Sequence, residues 1–169
     1  MTRTRIAFVC SGNICRSPLA EGVFTRLVRD AGLEPDFDVE SFGTGPWHVG
    51  ESADPRAQQI ARAHGLVLGQ ADVDEAGAGH FGAGDFGRLD LVIALDGEVA
   101  TALRRLAPSS ADRAKVRLLR EFDPQTADAY DLDVPDPYYA GPDGFELAFQ
   151  MIERSARRLL ATLRPPLRA

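Results

Sequence analysis

Four apolar segments alternate with segments of helical periodicity, and this alternation constrains the fold more than any other feature. The apolar segments are residues 6–10, 37–42, 89–95 and 116–119. The first is apolar without alternation, which is typical of a parallel strand buried on both faces. Strands that alternate with helices indicate a parallel sheet covered on both sides. The sequence therefore predicts a single doubly wound α/β domain, with a four-stranded parallel sheet and helices on both faces.

Sequence signals also predict where the helices begin. Each predicted start combines a capping residue with a proline or with an apolar stripe at helical spacing. The last helix is expected to begin near Asp143, with Glu146 completing a capping box. For the helix after residue 96, the expected buried stripe is Val99, Ala102, Leu103 and Leu106. The other expected starts are Ser17 as an N-cap before Pro18, Asp54 before Pro55, and Asp96.

Length and charge limit the range of functions. A chain of 169 residues suits one domain, which we expect to span 1–169 with a core of about 4–164. The net charge of −6 argues against binding to nucleic acid or to an anionic membrane. The apolar run near the N-terminus, residues 6–10, is too short for a signal peptide or a membrane span. We therefore expect a cytoplasmic protein.

The cysteines and histidines do not form a metal-binding pattern. Cys10 and Cys15 are the only two cysteines, and they cannot supply a four-cysteine zinc site. His48, His64 and His80 lie far apart in the sequence, so surface or packing roles are expected for them. The sequence thus predicts neither a metal site nor a cofactor, and reactive chemistry at one cysteine is the better interpretation.

The loop from Cys10 to Ser17 lies between the first strand and the first helix, where parallel sheets bind ligands. A loop that curls at a helix N-terminus directs backbone N–H groups to a common centre, which suits a tetrahedral dianion. Gly12 permits a close approach of the backbone, and Asn13 tolerates a left-handed conformation. Arg16 can bind two phosphate oxygens with its planar fork. The residues expected to surround the anion are Ser11, Gly12, Asn13, Ile14 and Cys15.

Cys10 is the candidate nucleophile of this Cys-x5-Arg pattern. A helix N-terminus and a nearby arginine favour the thiolate form of a cysteine, so no histidine partner is required. The alternative is a small buried cysteine on an ordinary strand-to-helix turn. Cys15 also has two interpretations, since it either forms a protective disulfide with Cys10 on oxidation or only supports the loop by packing.

Residues 9–18, Val-Cys-Ser-Gly-Asn-Ile-Cys-Arg-Ser-Pro, resemble the signature of the low-molecular-weight protein-tyrosine phosphatases. A second motif, Asp-Pro-Tyr-Tyr at 136–139, is similar to the general-acid loop of that family. The similarity extends over nearly the whole chain and includes residues 47–50, 54–57 and 94–96. The resemblance implies the phosphotyrosine protein phosphatase I-like fold and hydrolysis of phosphotyrosine in proteins, with inorganic phosphate as a product.

The resemblance also implies roles for single residues. Cys10 would form a phosphocysteine intermediate, Arg16 would bind phosphate, and Asp136 would be the general acid and later the base. By composition alone, Asp123, Asp128, Asp131 and Asp133 remain alternative acids. The remaining implied roles are a rim formed by Trp47, Tyr138 and Tyr139, a hydrogen bond from Ser17 to the Cys10 sulfur, and a loop brace formed by Asn13 with Ser41.

Three positions depart from the family pattern. Phe42 stands where relatives usually have alanine, and residues 70–84 are glycine-rich and lack the usual His-x-Ala-Arg-Gln stretch. These two departures predict a reshaped substrate entrance, with the Phe42 ring entering near the phosphate loop. Val99 replaces a common asparagine. None of the three departures changes Cys10, Arg16 or Asp136, so we expect the chemistry to be retained.

Three other functions compete with this interpretation. Arsenate reductases share the fold but need further cysteines downstream of the loop, and none follows Cys15. Protein-arginine phosphatases typically have threonine where this chain has Ile14. A non-catalytic phosphate-binding module is disfavoured because the nucleophile, the arginine and the acid are all present.

Overall fold

The four predicted strands form one parallel sheet in the computed structural model of the chain, which describes residues 2–68, 79–126 and 130–164. The predictions for residues 70–78 and for Asp128 lie outside these ranges. The strand order is β2-β1-β3-β4, and every pair is parallel. The strands are β1 (Thr4–Cys10), β2 (Phe37–Gly43), β3 (Leu91–Ala94) and β4 (Val116–Leu118).

Helices follow the strands as the alternation predicts, and together with the sheet they form a single α/β domain. Short 3₁₀ helices cover Glu34–Asp36, Ala83–Gly87 and Leu119–Phe122. The α-helices are α1 (Arg16–Asp30), α2 (Pro55–Ala63), α3 (Gly97–Leu106), α4 (Ser110–Ala114) and α5 (Pro142–Leu163). No helix in the described ranges is both long enough and apolar enough to cross a membrane.

The central strand β1 divides the core into two layers. Ile6 and Phe8 pack with α1 and α5 on one face, whereas Ala7 and Val9 pack with α3 on the other. All four side chains are fully buried. The rings of Phe8 and Phe24 lie 5.5 Å apart, and burial of one such ring contributes roughly 1.5–3 kcal/mol. A strand buried on both faces has no reason to alternate, which explains its continuous apolar run.

Two predicted helix caps are wrong. Helix α1 begins at Arg16, so Ser17 lies inside it, and the N-cap position is Cys15 without a side-chain cap. Helix α5 begins at Pro142 after Gly141, also without a side-chain cap. Glu146 does not complete a capping box, because its carboxylate instead accepts a hydrogen bond from His64 Nε2 at 2.9 Å. In both cases the side chain that the local sequence predicts as a cap, Ser17 or Glu146, instead makes a tertiary contact.

The predicted stripe of α3 is half right. Val99 and Leu103 are buried, but Ala102 and Leu106 are exposed. Ala100 is buried in their place, together with Ala107 just after the helix. The helix is therefore rotated on the sheet relative to the stripe that the sequence predicts.

The carboxyl ends of β1 and β3 meet at one edge of the sheet. Val9 pairs with Ala94, so Cys10 and the residues after Ala94 lie side by side. The chain leaves β1 toward β2 on one side, and β3 lies on the other. This point of divergence is where open α/β sheets bind ligands.

Candidate active site

The loop between β1 and α1 is held from outside by its carbonyl groups. In a trans peptide the C=O and the following N–H point in opposite directions. Carbonyls that bond outward therefore turn the neighbouring N–H groups toward the interior of the loop. The three outward bonds run from the amides of Thr44, Gly45 and Asp54 to the carbonyls of Cys10 (2.9 Å), Ser11 (3.0 Å) and Ile14 (2.7 Å).

Two glycines around the loop lie close to other residues. A Cβ on Gly43, at the end of β2, would lie 2.7 Å from the Ser11 carbonyl oxygen. A Cβ on Gly12 would lie 2.9 Å from Cδ2 of His48, so the imidazole ring would have to shift. Asn13 has a φ of 57°, the left-handed conformation that the sequence predicts.

The Cys10 sulfur lies at the base of this loop within a polar network. Ser17 Oγ lies 3.0 Å from it, and the Asn13 backbone N–H donates to it at 3.3 Å. The Ser17 hydroxyl also donates to Asn13 Oδ1 at 2.7 Å, and Asn13 Nδ2 donates to the Ser41 carbonyl at 3.3 Å. A hydroxyl has one proton, so Ser17 can turn it from Asn13 to a thiolate on Cys10. The Asn13–Ser41 brace is thus present, through the backbone of Ser41.

Arg16 is buried at the start of α1 and is held by two elements. Its Nη1 donates to Asp96 Oδ2 at 2.6 Å and to the Val134 carbonyl at 2.8 Å. Its Nη2 lies 3.6 Å from Asp136 Oδ2. Burial disfavours the charge, but the negative charges of Cys10 and Asp96 outweigh it and raise the pKa of Arg16 above its ordinary value. The guanidinium is therefore a permanent cation with its Nη2 side toward Asp136.

Asp136 stands opposite the loop on an exposed segment with fixed backbone. Its Oδ1 accepts a hydrogen bond from the Tyr138 N–H at 3.0 Å, and Pro137 after it is buried. Its side chain is 45% exposed, so it can exchange protons with solvent. The segment is anchored by Val134, whose N–H donates to the Leu95 carbonyl at 2.8 Å.

The alternative acids in the described ranges make hydrogen bonds or ion pairs away from the cleft. The side chain of Asp123 is fully buried and accepts hydrogen bonds from Arg154 at 3.1 and 3.2 Å. Asp133 accepts a hydrogen bond from the Gly97 N–H at 2.7 Å, and Asp131 lies 3.8 Å from Arg120. None of these three lines the cleft that contains Cys10.

A cleft of about 360 Å³ opens above the loop. Asn13, which was expected to surround the anion, and Ser17 are buried and do not line the cleft. Within the described ranges, no three His, Cys, Asp or Glu side chains are grouped so as to hold a metal ion. The residues that line the cleft are Cys10, Ser11, Gly12, Ile14, Cys15, Arg16, Trp47, His48, Asp136, Tyr138 and Tyr139.

Sequence reasoning missed three residues of this site. His48, expected at the surface or in packing, lines the cleft and lies 2.7 Å from Glu51 through Nδ1. Asp96 holds Arg16. Arg56 donates to the Tyr138 carbonyl at 2.7 Å and stacks on that ring at 5.2 Å. All three lie in segments that carry the family resemblance, which was the only signal available for them.

The prediction that Phe42 enters near the phosphate loop is wrong. Its ring packs against Phe81 at 5.6 Å, in the layer that contains α3, and Arg88 covers it at 5.5 Å. Phe42 is not among the residues that line the cleft. Side chains alternate along β2, so Gly43 rather than Phe42 lies against the loop. Val99 is buried, and its N–H bonds to Asp96.

Cys15 is a buried free thiol beside the nucleophile. Burial, followed by the charge of Asp54, raises the pKa of Cys15 to about 12. Since the thiolate is the reactive form, Cys15 should resist alkylation near neutral pH. Iodoacetamide at pH 7 is expected to add one group to the native protein, at Cys10, and none to the Cys10→Ser variant, as peptide mass mapping would show. Labelling of native Cys15 as fast as in the unfolded chain would contradict this.

Gly45 allows Trp47 to fold back over the chain. A Cβ on Gly45 would overlap the Trp47 indole ring. Gly45→Ala is therefore expected to displace Trp47. Trp47 is the only tryptophan, so intrinsic fluorescence and its quenching by iodide report on this residue alone. Gly84→Ala is the matched control, because a Cβ there meets nothing within 4 Å. Unchanged emission and quenching in Gly45→Ala would show that the indole does not occupy this position.

Comparison with known proteins gives a consistent result. The sequence profile of the family described as "Low molecular weight phosphotyrosine protein phosphatase" matches residues 5–168. A protein of Streptomyces coelicolor named low molecular weight protein-tyrosine-phosphatase is 53% identical over 160 residues, covering 95% of this chain and 93% of the relative. Low molecular weight protein-tyrosine phosphatase A of Mycobacterium tuberculosis is 44% identical, covering 88% and 84%.

A solved structure also matches over nearly the whole chain. The crystal structure of a protein tyrosine phosphatase from Entamoeba histolytica superposes with a TM-score of 0.86 at 28% identity, covering 95% of this chain and 96% of that one. The family profile, the relatives and the fold agree over almost the whole length. The chain belongs to the low-molecular-weight phosphotyrosine protein phosphatase family.

Proposed function

We propose that this chain hydrolyses phosphotyrosine in proteins through a phosphocysteine intermediate on Cys10. The observation that carries the proposal is the convergence of Cys10, Arg16 and Asp136 on one cleft with an aromatic rim. A thiol, a fixed cation and a carboxyl group are the three groups that phosphoryl transfer to a cysteine requires.

In the first step, the Cys10 sulfur forms a bond to phosphorus while the bond from phosphorus to the phenolic oxygen breaks. Protonated Asp136 donates its proton to the departing oxygen, so tyrosine leaves as a neutral phenol. Arg16 and the inward N–H groups bind the remaining phosphoryl oxygens as charge spreads over them. Asp96 and Val134 hold Nη1 of Arg16, which turns its Nη2 toward the cleft.

In the second step, water attacks phosphorus and the Cys10 sulfur leaves as a thiolate. Asp136, now a carboxylate, takes the proton of the water. The Ser17 hydroxyl, 3.0 Å from the sulfur, can turn from Asn13 and donate to the thiolate as its charge develops. The products are inorganic phosphate and the free enzyme.

The depth and lining of the cleft favour an aryl phosphate. Cys10 is 3% exposed at the base, whereas Trp47 and Tyr139 are 69% and 94% exposed at the mouth. A side chain must therefore reach past aromatic rings before its phosphate meets the loop. Phosphotyrosine-containing proteins are the substrates that fit, and we propose the cytoplasm as the location, because the nucleophile must stay a reduced thiol.

A panel of phosphopeptides with the same sequence tests this assignment. The kcat/KM for phosphotyrosine is expected to exceed that for phosphoserine by roughly 10²-fold or more, because the shorter side chain cannot bring its phosphate to the loop. The rate should not change with excess chelator. Faster hydrolysis of phosphoserine, or of phosphoarginine, would overturn the substrate class while leaving the phosphatase chemistry in place.

A further inference from the structure

A group of charges centred on a buried carboxylate lies behind the acid segment, and the proposed chemistry does not use it. The group consists of Arg120, Asp123 and Arg154. The carboxylate of Asp123 is fully buried, and Arg154 of α5 binds it with two nitrogens at 3.1 and 3.2 Å. Arg120 Nε lies 3.4 Å from the same carboxylate. Burial and these partners fix the guanidinium of Arg120 in place.

Arg120 then holds the backbone that leads to Asp136. Its Nη1 donates to the Asp133 carbonyl at 2.7 Å. The N–H of the same peptide group, on Val134, donates to the Leu95 carbonyl at 2.8 Å. One peptide plane is therefore held from both sides, by a buried arginine and by the end of the sheet.

The next peptide group connects this anchor to the phosphate loop. The Val134 carbonyl accepts a hydrogen bond from Arg16 Nη1 at 2.8 Å. Only Pro135 separates Val134 from Asp136, and Pro137 follows. Proline restricts both its own φ and the residue before it, so this segment cannot absorb a rotation by local adjustment. A shift of the peptide between residues 133 and 134 is therefore passed on to the carboxyl group of Asp136.

We infer that Arg120 is a positioning residue for the general acid, acting through the 133–134 peptide; this rests on the proposed function. Loss of Arg120 leaves the Asp133 carbonyl without this donor, so the 133–134 peptide is held on the Leu95 side alone and can tilt. A misplaced acid protonates the leaving oxygen poorly, whereas attack by Cys10 and binding by Arg16 continue. The defect is therefore greatest for substrates whose leaving group needs a proton.

The test compares two substrates in three variants. Arg120→Gln is expected to lose about tenfold in kcat/KM on phosphotyrosine but less than about twofold on p-nitrophenyl phosphate, whose phenol is more acidic. Arg120→Lys keeps a donor for the carbonyl and should fall between Arg120→Gln and wild type. Arg26→Gln is the matched control, since Arg26 also binds a carbonyl (His64, 2.7 Å) and a carboxylate (Glu153, 3.4 Å), away from the cleft. It should lower Tm without changing the ratio of the two rates.

Equal losses on both substrates in Arg120→Gln would overturn the inference and leave Arg120 with a structural role alone. If Arg120→Gln does not fold, the Arg120→Lys variant tests the inference. A ratio of the two kcat/KM values equal to that of wild type would then reject a positioning role. Failure of the proposed function looks different, because wild type itself would then fail to hydrolyse phosphotyrosine. A wild type that hydrolyses both, with an unchanged ratio in the variants, rejects only the role of Arg120.

Discussion

Cys10→Ser is expected to reduce turnover of an aryl phosphate by roughly 10⁴-fold or more, because removal of a nucleophile removes the covalent pathway. The serine hydroxyl is a weak nucleophile without a base, and Asp136, the carboxyl group of the cleft, is needed as the acid. The outward carbonyl bonds that hold the loop do not involve the sulfur. Inorganic phosphate should therefore still bind.

Steady-state rates and a thermal shift with phosphate measure the two effects separately. The wild type, quenched rapidly during turnover, should yield a phosphorylated peptide that contains Cys10. Substantial remaining activity in Cys10→Ser would exclude the covalent mechanism. Loss of phosphate binding together with activity would indicate that the substitution disturbs the loop rather than the chemistry.

Asp136→Asn is expected to lower kcat on phosphotyrosine by about 10²- to 10⁴-fold, the usual contribution of a general acid. Asparagine keeps the size of the side chain and an oxygen that can accept the Tyr138 N–H bond, so the turn should persist. It cannot donate a proton of comparable acidity. A substrate with a more acidic phenol leaves with less help, so its loss should be clearly smaller.

Asp143→Asn serves as the charge control for this substitution. Asp143 is an exposed carboxylate in the first turn of α5 and does not line the cleft. Its variant should keep both rates, which separates loss of the acid from loss of one negative charge. Equal losses on the two substrates in Asp136→Asn would show that another group protonates the leaving oxygen.

Local sequence signals are enough to predict the sheet and the loop. The strand β1 and the loop after it are adjacent in sequence, and the left-handed Asn13 follows from the tolerance of asparagine for that conformation. The predicted catalytic residues Cys10 and Arg16 belong to this one local unit. Asp136 lies on a separate segment and was predicted only through the family resemblance.

Contacts between distant segments were not predictable in the same way. Ser17 looks like an N-cap because it precedes a proline, but its hydroxyl is used by the Cys10–Asn13 network. Gly43 contacts Ser11 only once β2 lies beside β1. The position of Phe42 follows from the register of β2, since a shift by one residue would place it on the opposite face. Such features depend on which strands are neighbours, and a single sequence does not state that.

The central place of β1 has a consequence for how activity is lost during unfolding. This strand pairs along both edges and is covered on both faces, so its amides should exchange with solvent only through global unfolding. The nucleophile is attached to the end of that protected strand, whereas Asp136 lies on a surface segment. Under mild denaturing conditions, the acid segment should therefore open first. A partly opened molecule would still bind phosphate and would still form the phosphocysteine intermediate from phosphate esters of acidic phenols. Its rate of phosphotyrosine hydrolysis, however, would already be lower.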